Sequence, residues 1–152
     1  MSLYLVQHGK NLPKEEDPEQ SLSATGKADT ERIAQVAALY NIPVSVIRHS
    51  SKKRAKETAE IMAAALNPDQ GIKEVEGLKA LDDVTALAET VDAESNIMLV
   101  GHLPSLDRLA ALLITGNQEN SVISFQNGGI VCLHQPEAGQ WSIKWSLMPD
   151  IS

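Results

Sequence analysis

Three side chains stand where chemistry is easiest to mount: His8, His102 and Arg54. Each follows an apolar run of the kind that forms a buried strand. "LYLV" (Leu3–Val6) leads into Gln7-His8-Gly9, "NIMLVG" leads into His102, and "PVSVIRHSS" runs into a polar loop shortly before Arg54. An imidazole is a good nucleophile near neutral pH, and water readily removes a phosphoryl group from it. Phosphoryl oxygens need fixed positive donors, which an arginine and a protonated second histidine supply. Gly9, directly after the first histidine, lets backbone and phosphate approach closely. The chemistry that fits this set is phosphoryl transfer.

The three can converge only if their strands lie side by side and end at one edge. After the first strand, Asn11 to Gln20 is polar, carries Pro13 and Pro18, and reads as a loop. Ser23 is a candidate N-cap for a helix whose apolar residues Ile33, Val36, Ala37 and Tyr40 recur at helical spacing. A strand is predicted over Val44–Arg48, then a helix through "KKRAKETAEIMAAALNP" closed by Asn67-Pro68. A short strand fits Ile72–Val75, a helix Asp83–Val91, and a buried strand "NIMLVGH". "PSLDRLAALLITG" reads as a helix with Pro104 near its first turn and Gly116 after its end. "GGIVCLH" and "WSIKWSL" read as antiparallel strands on either side of "QPEAGQ", with Trp141, Ile143 and Trp145 predicted on one buried face. Trp141 and Trp145 are read as core. Alternating strands and helices predict an α/β fold: a three-layer α/β/α sandwich with a mostly parallel central sheet. In such sheets ligands collect at the carboxyl ends of strands.

The chain has 152 residues, which suits one domain spanning residues 1–152. Its formal net charge of −7 argues against non-specific nucleic-acid binding and against attraction to an anionic membrane. The one cysteine, Cys132, lies in an apolar run and reads as a small core residue. No Cys/His cluster has structural-zinc spacing, so neither metal nor cofactor is expected. No apolar run reaches transmembrane length and no basic segment leads into an apolar stretch, so the expected compartment is the cytoplasm.

With "LYLVQHG", "SSKKRAKETA" and "VGHLP" in order, the chain resembles the histidine phosphatase superfamily, also called phosphoglycerate-mutase-like. "SLSATGK" is similar to that family's helix entrance, and the short length with the closing "GGIVCL" hairpin most resembles SixA-type phosphohistidine phosphatases. The resemblance implies a metal-independent phosphohydrolase with His8 as the nucleophile that becomes phosphorylated. It implies that Arg54 binds phosphoryl oxygens, that His102 neutralises charge in the transition state, and that Ser50 adds a phosphate hydrogen bond. In "LKALDD" it points to Asp83 as proton donor, with Asp82 next, although the family's proline is Ala80 here. The implied substrate is a phosphohistidine on a phosphotransfer or phosphocarrier protein, because the segment from Leu66 to Ser95 is too short for a cap domain. Two alternatives stay open: a general small-molecule phosphomonoesterase, and an impaired relative that binds phosphate or phosphoprotein without turnover.

One departure motivates the last alternative. Where the family has its first arginine this chain has Gln7, which keeps an amide donor and loses the charged fork. Such a loss is worth on the order of 2–4 kcal/mol in the transition state. Lys10 and Arg48 are the candidates to replace the charge. Lys52, Lys53 and Lys56 read as a solvated face able to steer an anion. His49 is expected in a loop, and His134 is expected to be structural.

Overall fold

A computed structural model describes residues Met1–Ser152. The chain runs β1 (Ser2–Gln7), α1 (Ala24–Leu39), β2 (Val46–His49), α2 (Lys53–Leu66), β3 (Ile72–Glu74), α3 (Val84–Thr90), β4 (Ile97–Gly101), α4 (Ser105–Thr115), β5 (Ile130–Glu137) and β6 (Gln140–Leu147). The strands form a six-stranded sheet in the order β3-β2-β4-β1-β5-β6. The first four of these pair in parallel, and β5 and β6 add an antiparallel edge beside β1.

Alternation along the strands divides the core into two layers. Tyr4, Val6, Ile47, Met98 and Val100 pack against Ile33, Ala34 and Ala37 of α1 and Ala55, Ala59 and Met62 of α2. Leu3, Leu5, Val46, Ile97 and Leu99 pack against Val84 and Leu87 of α3 and Leu106, Leu109 and Ala110 of α4. The central strands are apolar on both faces because both faces are covered. This is the three-layer sandwich expected from the alternation of elements.

Local chemistry sets the helix ends. Ser23 accepts from the Gly26 N–H and starts α1. Asn67, at φ +48°, closes α2 with its N–H on the Ala63 carbonyl, and Gly116 closes α4 at φ +79°. The expected start of the second strand at Val44 is corrected to Val46, because its ladder partner β4 begins only at Ile97. The strands β5 and β6 extend into "QPEAGQ" until Glu137 pairs with Gln140.

The single buried face predicted for Trp141, Ile143 and Trp145 is also corrected. Cys132 pairs with Trp145 and Leu133 with Ile143, so Lys144 is an extra residue in β6. The bulge moves Trp145 to the α1/α2 layer, where its ring lies 6.0 Å from that of Tyr4, while Trp141 and Ile143 stay with the α3/α4 layer. Strict alternation cannot survive one inserted residue. No helix is long and apolar enough to cross a membrane.

Helix α1 touches the loop after β1 with no room to spare. Lys10 accepts from the Ser23 N–H through its carbonyl at 2.9 Å, and a Cβ on Gly26 would strike the Lys10 backbone. Gly26→Ala is therefore expected to destabilise the fold by about 3 kcal/mol, the upper end for overpacking, read as a lower urea midpoint.

Candidate active site

Register brings the expected strand ends together. Gln7 at the end of β1 pairs with Gly101 at the end of β4, and His49 at the end of β2 pairs with Val100. His8, Ser50 and His102 therefore leave the sheet at one edge, the carboxyl ends of three parallel strands. His8 is held by its backbone on both sides: its N–H donates to the Gly101 carbonyl at 3.0 Å, and Asn127 Nδ2 donates to its carbonyl at 2.9 Å. The ring is pinned as well, with Nδ1 2.7 Å from the Gly9 carbonyl. A carbonyl only accepts, so Nδ1 carries the proton and Nε2 keeps the lone pair. The His8 and His102 rings lie 5.0 Å apart at 52°, and Ser50 Oγ is 2.7 Å from His102 Nε2. Both rings are buried, as is Ser50.

The reason for Gly9 differs from the expected one. A Cβ there would lie 2.6 Å from Thr30 Oγ1, so the glycine is required by the approach of α1. Its N–H donates to Thr58 Oγ1 at 2.9 Å, and Thr58 donates in turn to the Arg54 carbonyl at 2.8 Å. Gly9 thereby also fastens the loop after β1 to α2. The sequence alone points to no role for Thr58 or Asn127. Thr58 was visible in "RAKET", one helical turn after Arg54, whereas nothing near Asn127 links it to a residue so far away in the chain.

The charges around the rings come from few groups. Those that reach His102 are His8, Arg54, Lys52 and Asp82. Arg54 is half-buried and has no ion-pair partner; the chain's ion pairs are Arg32–Asp29 and Lys53–Glu19. Lys10 is exposed, and its charge is felt by Asp150 at the far end of the chain, while Arg48 lies within β2 between Lys73 and Leu99. Gln7 itself has its carbonyl oxygen Oε1 buried with no hydrogen-bond donor. His49, expected in a loop, is a buried strand-end residue whose Nδ1 lies 2.8 Å from the Ser50 carbonyl.

The two candidate carboxylates also separate. Asp83 is the exposed N-cap of α3, its Oδ1 accepting from the Thr85 N–H at 2.9 Å. Asp82 is half-buried, accepts from the Lys79 N–H at 2.9 Å, and is the carboxylate whose charge reaches His102. The cap geometry commits the Asp83 side chain to its own helix.

Burial, then the positive charges of His8, Arg54 and Lys52, push His102 down to about 4 against a weaker upward pull from Asp82. His8 is also lowered, first by burial and further by Arg54, with its bond to the Gly9 carbonyl opposing. Both rings are neutral near pH 7 in the folded chain. The unfolded chain takes up these protons first as pH falls, so the stability is fully present above the ordinary histidine value of about 6.5. It should decline as pH drops from there towards about 4, the folded value of His102. Urea midpoints measured across that interval should fall with acidity, and His102→Asn should flatten the slope.

The family model of the histidine phosphatase superfamily (branch 1) matches residues 3–86. No curated protein matches the chain. Among solved structures it is similar to the protein histidine phosphatase SixA complexed with tungstate, at 21% identity and a TM-score of 0.85, over 98% of this chain and 97% of that one. A SixA-type protein from Agrobacterium tumefaciens gives 23% identity and a TM-score of 0.78 over 98% of each chain. A phosphoserine phosphatase from Entamoeba histolytica, in complex with 3-phosphoglyceric acid, gives 15% and 0.69 over 96% of each. The match covers more than half of the chain, including the first histidine, the arginine helix and the acidic loop. By that match and by its fold, this chain belongs to the histidine phosphatase superfamily.

Proposed function

We propose that the chain is a phosphohydrolase that carries the phosphoryl group on His8 and acts on phosphohistidine in a protein. The observation that carries this reading is the His8 ring: Nδ1 is tied to the Gly9 carbonyl, which leaves Nε2 unprotonated as the nucleophile, in a ring 5.0 Å from that of His102. In the first step Nε2 bonds to phosphorus while the bond to the leaving nitrogen breaks, and Asp82 gives that nitrogen a proton. In the second, Asp82 takes a proton from water, whose oxygen bonds to phosphorus as the bond to Nε2 breaks. Phosphate and free His8 result. Arg54 meets the phosphoryl oxygens, and Ser50 with His102 supplies hydrogen bonds to charge that grows during transfer.

A protein substrate fits the short connection between β3 and α3. The stretch from Glu74 to Val84 links β3 and α3 directly, and we read residues 1–152 as one domain without a cap. Exposed Lys52 and Lys56 beside Arg54 would steer an anionic phosphoprotein. A phosphotransfer or phosphocarrier protein is the partner this reading names. Gln7 favours a second reading, a phosphate or phosphoprotein binder with little turnover, because the residue before His8 carries no charge.

A rapid quench with a reactive phosphoramidate, followed by mass spectrometry, should find an acid-labile phosphoryl group on His8. Turnover should vanish in His8→Ala and fall by about a hundredfold or more in Asp82→Asn, while the cap variant Asp83→Asn changes it by less than about threefold. Turnover that survives His8→Ala would overturn the assignment. Binding without an adduct would favour the second reading.

A further inference from the structure

We propose that a cavity at the opposite end of the strands from His8 binds a small aromatic carboxylate, its rings against Tyr4, Tyr40 and Trp145 and its charge set against Lys144. None of the residues that line this cavity belongs to the site around His8, and the proposal does not depend on the phosphohydrolase reading.

The cavity measures about 830 Å³, within the range of about 300–1,000 Å³ typical of sites for small organic molecules. It lies where Ser2, Pro43 and Asn96 lead the chain into β1, β2 and β4. Local bonds fix its walls. Helix α1 stops at Tyr40, and Asn41, at φ +53°, turns the chain so that Ile42 and Pro43 return to the sheet. Tyr4 is buried, its hydroxyl donates to the Pro43 carbonyl at 2.9 Å, and its ring lies 6.0 Å from that of Trp145. The Ser2 N–H donates to Asn96 Oδ1 at 2.9 Å and ties two strand starts together. The bulge at Lys144 brings Trp145 to this face of the sheet. Tyr40, 78% exposed, stands at the rim with its ring in water. Walls held in this way cost little further ordering when a ligand enters.

Charge selects the ligand class. The chain carries 20 acidic residues against 13 basic ones, yet none of the 13 residues lining this cavity is acidic and one, Lys144, is basic. Lys144 makes no ion pair, since the chain's ion pairs are Arg32–Asp29 and Lys53–Glu19. Burial pushes the Tyr4 phenol up to about 12, so that wall stays neutral. A cationic ligand would meet Lys144 with no carboxylate to offset the repulsion, whereas a carboxylate gains an unpaired partner. The apolar wall separates ligands further. A small hydrated anion has no surface to bury against Ile42, Trp145 and Leu147, but a ring-bearing acid does. Tyr and Trp rings favour an aromatic body, which meets them edge-on or offset-stacked. The acid group then remains at the rim, where Lys144 is exposed.

The test titrates the whole, isotope-labelled chain with naphthaleneacetate, naphthaleneacetamide and naphthylmethylammonium, which share one ring system and differ in charge. The chain has two tryptophans on opposite faces of the sheet, so their indole N–H signals in the NMR spectrum provide a site and a control. Naphthaleneacetate should shift the Trp145 signal saturably at sub-millimolar concentration and leave Trp141 in place. It should bind about threefold tighter than the amide and about tenfold tighter than the ammonium. In Lys144→Gln the acetate should lose its advantage over the amide. In Tyr40→Ser both should weaken by about threefold. No saturable movement of Trp145, parallel movement of both indoles, or an ammonium that binds as tightly as the acetate would overturn the proposal. So would movement of the Trp145 signal on raising the protein concentration alone, because a second copy of the chain would then cover this face.

Discussion

Gly9 donates its N–H to Thr58, and Thr58 passes a hydrogen bond on to the Arg54 carbonyl. That two-step relay fastens the loop after β1 to the first turn of α2. It sets the distance between a nucleophilic ring on a strand end and a guanidinium on a helix. Neither group would hold its place alone: a strand end frays without a ladder partner, and a first-turn side chain has many rotamers. Thr30 closes the other side, packed so tightly against Gly9 that no side chain fits there, with its own hydroxyl on the Gly26 carbonyl. The site is therefore a junction of the sheet and two helices, and its precision derives from their packing.

Placing two imidazoles and a guanidinium at such a junction has an electrostatic consequence. Desolvation works against every charged form, so the two rings lose their protons and the guanidinium becomes the principal enclosed charge. A site of this kind suits an anion, because an incoming negative charge raises the proton affinity of both rings at once. His102, bonded to Ser50 and 5.0 Å from the His8 ring, shares that response with its neighbour.

Much of this was legible in the sequence, for identifiable reasons. Strand ends were readable because apolar runs such as Leu3–Val6 and Ile97–Val100 stop abruptly at polar residues, and parallel sheets put ligands at those stops. The cap at Ser23 and the stop at Gly116 followed from the backbone chemistry of those residues. What was not legible depended on distance or on a count of one. Asn127 reaches His8 across 119 positions, which no local pattern encodes. The bulge at Lys144 reverses the facing of Trp145 without changing the alternation that a reader sees. Asp82 and Asp83 are identical in chemistry, and only the cap geometry of α3 separates them.

The Asn127 bond carries a further consequence, concerned with the order of assembly. His8 is among the earliest residues of this sequence to be synthesised, yet its carbonyl is tied down by a residue that follows α4, and its N–H by Gly101 at the end of β4. Closing loops of that length comes late in folding. Fragments that lack the segment around Asn127 leave the His8 carbonyl without that donor, although Gly101 and Thr58 still hold the neighbouring N–H groups. The last of the His8 backbone contacts would then form only when the segment after α4 has docked.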